Sequence, residues 1–204
     1  MAKKTTVELK EFKIHYVAIP IEGISPLITN KFSAKAQQMI EDKQQGKAKN
    51  AKHGIKDPVE CYEGAKHILT DGSNGFPAAG FKAAMIRGAK MIGMVMKDTQ
   101  TSFFIKADCE ETQLVRIEGE PRMRTDMVRV GMSGADVRYR PEYSNWNTTL
   151  HIEFNEGVIS MEQIHALVAA AGYGCGIGEM RPEKGKFNFG RFKIKGTNSK
   201  ISRG

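Results

Sequence analysis

The residues best suited to bind a charged ligand lie in one stretch near the end of the chain, residues 172–195. Glycine occupies every second position from 172 to 178, which lets the main chain adopt positive φ and bring its N–H groups close to an anion. Phosphate together with a base is the ligand that this mixture suits, and the alternative is that the glycines only form turns while the aromatic rings fill a core. The candidate binding residues here are Gly176, Gly178, Arg181, Lys184, Lys186, Phe187 and Arg191.

A second group of basic and aromatic residues falls between positions 122 and 146. Basic groups neutralise phosphates and release counterions, while exposed rings stack on unpaired bases at about 1–3 kcal/mol each. Neither interaction requires the edge of a base, so the pattern predicts sequence-tolerant binding of single-stranded nucleic acid. The alternative is that Trp146 and Phe189 belong to the core, whereas Tyr143 falls in a polar segment. The candidates are Arg122, Arg124, Arg138, Arg140, Tyr143 and Trp146.

Lysines are concentrated between residues 31 and 56, where the sequence has seven lysines and only two acidic residues, Glu41 and Asp42. Such a segment buries little apolar surface, so we expect a projecting, mobile insertion. A solvated surface face is the alternative. The lysines expected to make contacts from this insertion are Lys43, Lys47, Lys49 and Lys52.

The sequence contains no complete motif for phosphate or dinucleotide binding and no complete set of catalytic residues. Gly185-Lys186 is followed by Phe187, so the hydroxyl that a phosphate-binding P-loop places on magnesium is missing. The glycines from 174 to 178 follow a predicted helix and precede a predicted strand, which is the reverse of the order in a dinucleotide-binding fingerprint. His15 is the one candidate general base, for metal-independent RNA cleavage, but it has no identifiable partner. We expect no enzyme activity, no metal and no cofactor.

The composition of the chain indicates which kind of partner and which cellular compartment to expect. The chain has 204 residues and a formal net charge of +8, which favours polyanionic partners. Its three cysteines are widely spaced and odd in number, which argues against a disulfide framework and for a reducing cytosol. With no apolar leader and no run of about 18 apolar residues, we expect a soluble cytoplasmic protein with no membrane partner.

Periodicity predicts a mixed α+β fold. The order strand, helix, strand, strand, helix, strand is that of a ferredoxin-like, or RRM-like, β-α-β-β-α-β fold, with an inserted β-hairpin and the lysine-rich insertion. We expect one domain over residues 1–196, with insertions at about 31–75 and 119–146, and a basic, disordered tail at 197–204. The predicted strands are 12–21, 102–105, 113–118, 121–130, 135–140, 147–154 and 187–195, and the main helices are 76–97 and 160–171.

The first of these helices carries both an apolar stripe and basic residues. Phe81, Met85 and Gly88 repeat at spacings of three and four, and the neighbouring methionines are expected to fill the core. The basic residues that fall off the stripe are Lys82, Arg87 and Lys90.

Three segments resemble the RAMP superfamily, the RRM-like proteins that include the crRNA-binding backbone subunits of CRISPR effector complexes. They are the helix start Phe76–Arg87, the glycine-rich loop Gly174–Arg181 and the segment Gly23–Leu27. Ala83 stands where the family usually has a glycine after the lysine.

The resemblance implies that Lys82, Arg87 and the glycine loop contact the nucleic-acid backbone. It also implies a head-to-tail homo-oligomeric filament, in which the lysine-rich insertion or the hairpin at 119–146 reaches a neighbouring subunit. A stand-alone, phage-encoded relative in a bacterial host cytoplasm fits the sequence as well as a CRISPR subunit does.

The leading hypothesis is therefore a non-catalytic protein that oligomerises along single-stranded DNA or RNA. Two alternatives stay open. One is an RNA-processing endonuclease of the same superfamily. The other is a protein that mimics such a subunit and inhibits by binding a protein partner.

Overall fold

The computed structural model describes residues 12–31, 38, 41–42, 44–46, 57–130 and 134–196. The predicted tail at 197–204 and the insertion lysines Lys43, Lys47, Lys49 and Lys52 lie outside these residues. The strands are β1 Ile14–Gly23, β2 Leu27–Ile28, β3 Gly75–Pro77, β4 Phe103–Lys106, β5 Leu114–Arg116, β6 Pro121–Val130, β7 Gly134–Tyr143, β8 Asn147–Asn155 and β9 Phe192–Ile194. The α-helices are α1 Pro58–Gly64, α2 Ala78–Gly88, α3 Met96–Ser102 and α4 Met161–Ala170.

The chain forms an α+β fold with antiparallel sheets, as the sequence predicts. Its main sheet has four strands in the order β4-β8-β1-β9, and every neighbouring pair is antiparallel. In β1 the side chains of Ile19 and Ile21 are buried, while Tyr16 and Ala18 are exposed on the opposite face. This alternation follows from the two-residue period of a strand, so one face of the sheet packs on helices and the other stays open.

Two smaller sheets flank the main one. Strands β6 and β7 form a hairpin of ten residues per arm, paired from Pro121–Tyr143 to Val130–Gly134. Strand β2 joins this hairpin through Leu27 and Tyr143. Strands β3 and β5 form the third sheet and place Phe76 opposite Val115.

Helix α2 is shorter than the predicted helix at 76–97. Pro77 is the last residue of β3 and the N-cap of α2, and a 3₁₀ turn, Ala89–Ile92, follows the helix. The helical path ends at Gly93, whose φ of +75° is readily adopted only by glycine. The apolar stripe therefore stops early, and Met91 and Met96 are 52% and 40% exposed instead of filling the core.

Helix α4 begins where the sequence predicts. Ser160 accepts a hydrogen bond from the backbone N–H of Gln163, whose side chain accepts one from the Ser160 N–H, which completes a capping box. Ile164 and Leu167 are fully buried on the inner face of the helix. Gly88 of α2 lies so close to the end of α4 that a Cβ atom there would come within 2.9 Å of the Ala171 nitrogen, so the two helices pack almost in backbone contact.

The final strand is also shorter than predicted. Of the predicted strand 187–195, the segment Phe192–Ile194 forms β9 and pairs with β1, and residues 182–190 form a 3₁₀ turn followed by a loop. Gly190, with φ of +65°, turns the chain into the strand. Phe187 and Phe189 consequently do not share one face of a strand.

Within the part of the chain that the structure describes, no helix has the combined length and apolar character required to cross a bilayer.

Candidate nucleic-acid interface

A groove of about 300 Å³ lies between α2 and the loop at residues 177–181. We call it the α2 groove. On the helix side, Gly80, Ala83, Ala84 and Arg87 line it. Their spacing of three and four places them on one helical face, and the three small side chains leave the space open.

Arg87 and Arg181 converge on this groove from different elements. Arg87 Nη1 lies 2.8 Å from Glu183 Oε2, and Arg181 Nε lies 2.9 Å from the same oxygen. Arg181 also donates from Nη1 to the carbonyl of Gly178 at 2.8 Å, which fixes its guanidinium beside the loop. Two cations therefore share one carboxylate at the rim of the groove.

Lys82 does not line the groove with Arg87, contrary to the sequence-based prediction. The two residues are five positions apart, which is roughly 140° around a helix of 3.6 residues per turn. Lys82 instead extends over the edge strand β4, where its Nζ lies 4.2 Å from the centre of the Phe104 ring. Burial lowers the pKa of this ammonium group. Lys90 is exposed in the 3₁₀ turn after α2 and does not line the groove either.

The glycine loop is shaped by packing against the protein. Gly176 and Gly178 have φ of +67° and +77°, and a Cβ atom on Gly178 would meet the carbonyl oxygen of Ile28 at 2.4 Å. The N–H groups of Gly176, Ile177 and Glu179 donate to the carbonyls of Ala171, Gly190 and Ile28. The prediction that this loop presents its amides to an anion is therefore wrong for these three residues, and positive charge at the groove comes from side chains.

The segment after the glycine loop presents basic and aromatic side chains to solvent. Lys184, Lys186 and Phe187 are exposed, the last by 43%. Arg191 donates from Nε to the carbonyl of Tyr173 at 3.1 Å, and its guanidinium carbon lies 5.3 Å from the centre of the Tyr173 ring. Tyr173, which is 68% exposed, is not among the candidates predicted from the sequence. Its position among the glycines at 172–176 was the available signal.

The arginines of the β6–β7 hairpin, predicted to contact phosphates, form ion pairs within the protein. Arg124 Nη1 lies 2.7 Å from Glu142 Oε2, and its Nε lies 2.7 Å from Asp126 Oδ1. Arg122 also binds Glu142, which is 2% exposed. Although burial favours the protonated carboxyl, the bonds from Arg124 and Arg122 hold the pKa of Glu142 below its usual range.

Arg140 is only 2% exposed, so it cannot reach a nucleic-acid backbone as predicted. Its Nη1 and Nη2 lie 3.5 Å from Asp126 and 3.9 Å from Glu179, and its buried Nε has no hydrogen-bond partner among the residues that the structure describes. Arg138 is more open and lies 3.8 Å from Asp136. The cross-strand register of this face places Arg122 opposite Glu142 and Asp126 opposite Arg138. It also places Arg124 opposite Arg140, and the carboxylates of Asp126 and Glu142 lie next to these two arginines.

Tyr143 and Trp146 were predicted to stack on bases, and both predictions are wrong because the two rings are buried. Tyr143 is fully buried and donates from its hydroxyl to Asn74 Oδ1 at 3.1 Å. Trp146 is 3% exposed, packs against Gly23 and donates from Nε1 to the carbonyl of Ser25 at 2.9 Å. The alternative that Trp146 belongs to the core is the correct one.

The floor of the α2 groove contains three residues that are not among the candidates predicted from the sequence, namely Asn30, His67 and Phe76. The Phe76 ring stands edge-on to His67, with 6.1 Å between centroids. Gly80 makes room for that ring, since a Cβ atom there would lie 2.5 Å from Phe76 Cε1. No local pattern marks Asn30 or His67, because the groove forms only when segments distant in sequence meet.

The open face of the main sheet carries two exposed rings, Tyr16 at 64% and Phe104 at 53%. Lys106 Nζ lies 5.2 Å from the centre of the Tyr16 ring and 3.5 Å from Glu153 Oε2. His15, the candidate general base, lies near the start of β1 and pairs with Glu156 at 3.1 Å.

Charge is divided unevenly along the sequence. Residues 12–31, 57–130 and 134–196 contain 20 basic and 19 acidic residues, whereas the remaining positions contain 11 basic and 4 acidic residues. Nearly all of the net charge of +8 therefore belongs to 1–11, 32–56 and 197–204. The arginines around the groove and the hairpin contribute little net charge because carboxylates accompany them.

Comparison with known proteins finds similarity only at the level of solved structures. No protein-family model matches the chain, and no curated protein matches it. Among solved structures, Cmr6 from Pyrococcus furiosus aligns over 90% of this chain and 100% of its own, with a TM-score of 0.42 and 10% identity. This level of similarity assigns neither function nor partner to the chain.

Proposed function

We propose that this protein binds single-stranded nucleic acid, without cleaving it, along the α2 groove. The carrying observation is that Arg87 and Arg181 converge on one groove and share the single carboxylate of Glu183. A phosphate oxygen that displaced Glu183 would receive charge-assisted hydrogen bonds from both guanidinium groups. In this proposal the Glu183 carboxylate occupies, in the absence of the strand, the position that a phosphate takes when the strand binds.

Side chains next to the groove extend this interface. Lys184 and Lys186 can neutralise further phosphates, and the exposed rings of Phe187 and Tyr173 are available to unpaired bases. Contacts of both kinds tolerate any base, so binding through them is largely independent of sequence. The lysine-rich sequence at 31–56 adds long-range attraction for a polyanion.

We interpret the main sheet and its helices as the ferredoxin-like core of a RAMP-like protein. The support is the order β1, α2, β4, β8, α4, β9 along the chain, together with the sheet order β4-β8-β1-β9. In this interpretation the β6–β7 hairpin is an insertion between the second and third core strands.

We further propose that copies assemble head to tail along the strand. The hairpin favours this assembly because it exposes apolar side chains, Met123 by 40% and Met127 by 81%. Light scattering after size exclusion, with strands of increasing length, measures the number of copies per strand. A count that rises in fixed steps with strand length is expected, and a count that stays at one contradicts assembly.

The test of binding exchanges the three charged residues of the groove one at a time. We expect Glu183→Gln to raise the affinity for a labelled single strand by about twofold to fivefold, the value of an exposed ion pair. We expect Arg87→Gln and Arg181→Gln to lower it by about tenfold, since each removes charge-assisted bonds to phosphate. Fluorescence anisotropy at several salt concentrations gives both the affinity and its salt slope.

Matched variants separate the groove from overall charge. Glu63→Gln removes a carboxylate of α1 that pairs with Lys66, and Arg116→Gln removes an arginine that pairs with Asp71. Both should leave affinity nearly unchanged. Equal effects of Glu183→Gln and Glu63→Gln would show that only net charge matters, and undetectable binding by the unmodified protein would refute the proposal.

A further inference from the structure

Asn30 and His67 on the floor of the α2 groove are polar side chains that the proposed phosphate contacts do not use. They line the same cavity of about 300 Å³ as Phe76 and Pro77. This volume is at the lower end of the range for small-molecule pockets. It accommodates one planar ring system and excludes a run of nucleotides.

The backbone holds both polar residues in fixed positions. On either side of Asn30, the Thr29 N–H donates to Pro141 at 3.1 Å and the Lys31 N–H donates to Ala65 at 3.0 Å. The carbonyl of His67 accepts from the Gly75 N–H at 2.8 Å. The two side chains are therefore presented from different segments that are each anchored by hydrogen bonds.

The polar atoms of these two side chains are available to a ligand. Within the described part of the chain, neither side chain makes a hydrogen bond to protein. An asparagine amide offers two donors and an acceptor, and a neutral imidazole offers one donor and one acceptor. Such mixed groups match the edge of a nucleobase, whereas a phosphate accepts only.

His67 is uncharged at neutral pH. Burial, together with the nearby charge of Lys31, lowers its pKa to about 4. The other charged residues that line the cavity are Arg87, Arg181 and Glu179. The floor of the groove is thus neutral and polar, while its rim is charged.

We propose that this cavity holds one nucleobase of the bound strand, with Asn30 and His67 hydrogen-bonded to its edge. Phe76 and Pro77 provide the apolar wall against the ring, and the adjoining phosphate lies at the arginines of the rim. The inference rests on the proposed function and goes beyond it, because one position of the strand per protein copy is then discriminated by base.

The experiment measures competition by anisotropy, using the full chain. The competitors are four homopolymeric single strands of equal length, a strand with abasic positions, and the four mononucleotides. The variants are Asn30→Ala and His67→Ala, which remove the hydrogen-bonding groups, with Asn145→Ala and His165→Ala, both at exposed positions, as matched controls. Circular dichroism melting verifies that each variant is folded.

We expect at least about a fivefold spread in affinity among the homopolymers, since a good bidentate base contact discriminates by this much or more. The abasic strand should compete no better than the weakest homopolymer. Each pocket variant should reduce the spread below about twofold, and the controls should preserve it.

Three results would overturn the inference while leaving strand binding intact. They are no spread among homopolymers, a spread that survives both pocket variants, and a mononucleotide that competes as well as the strand of the same base, which would assign the cavity to free nucleotides. Absence of binding to every strand would instead refute the proposed function, and the inference with it.

Discussion

Replacing His67 by glutamine should remove a specific part of the acid sensitivity of this fold. In the folded protein, burial and Lys31 hold the pKa of His67 at about 4, against 6.5 for a free histidine. Between these two values the unfolded chain binds a proton that the folded chain does not. Stability therefore falls as pH is lowered through this window, and it is restored above about pH 6.5.

The size of the effect follows from the pKa difference. Each pKa unit corresponds to about 1.4 kcal/mol of unfolding free energy. Lowering the pH from about 7.5 to 5 covers about 1.5 units of the window below 6.5 in which the unfolded chain alone is protonated. Because His67 retains some solvent contact, we expect about 1–2 kcal/mol of the unfolding free energy to be lost through this residue. The glutamine variant, which cannot take up a proton, should lose that much less.

Urea unfolding at the two pH values measures the difference directly. The informative quantity is the pH-dependent loss in the unmodified protein minus the loss in His67→Gln, because carboxylates that titrate in both proteins cancel. His165→Gln, at an exposed position of α4, is the control and should behave as the unmodified protein does. An identical loss in the unmodified protein and in His67→Gln would refute the assigned environment of His67.

Two further substitutions test the glycine loop and the lysine-rich segment. Gly178→Ala places a Cβ atom 2.4 Å from the Ile28 oxygen at a φ of +77°. We therefore expect urea unfolding to show that the free energy of unfolding falls by about 2 kcal/mol or more. In the control Gly72→Ala, where φ is +84° but nothing lies within 4 Å of the added Cβ atom, it should fall by less. Changing the four lysines that are predicted to make contacts from the insertion, Lys43, Lys47, Lys49 and Lys52, to glutamine should reduce the slope of log affinity against log salt by about 3, since each single-strand phosphate contact contributes about 0.7. An unchanged slope would exclude phosphate contacts by this segment.

Strands and helices that are determined by residues close together in the sequence could be predicted from it. Strand β6 spans the predicted residues 121–130, and α4 has the predicted capping box at Ser160 and Gln163. Helix α2 was predicted too long because apolar residues continue beyond it to Met96, and periodicity alone cannot show that Gly93 takes a left-handed φ. A single glycine thus decided the end of the element.

The candidate site was harder to predict because its contacts join distant residues. Arg87 and Glu183 are 96 positions apart, and Arg124 and Glu142 are 18 apart. Trp146 is buried, and its indole N–H donates to the carbonyl of Ser25, 121 positions away. Basic and aromatic residues can be counted in a sequence, but whether an arginine is already paired, or a ring already covered, depends on the tertiary fold.

The pairing of the arginines changes what the described part of the chain contributes to binding. With 20 basic and 19 acidic residues, segments 12–31, 57–130 and 134–196 exert little long-range attraction on a polyanion. Binding of the strand by these segments depends on short-range contacts. Glu183 must be displaced before Arg87 and Arg181 can bind phosphate. Attraction in this proposal comes instead from the lysine-rich sequence, whose effect is screened by salt. High salt should therefore weaken binding overall while leaving the base preference of the α2 groove nearly unchanged, because an uncharged pocket of hydrogen bonds releases no counterions.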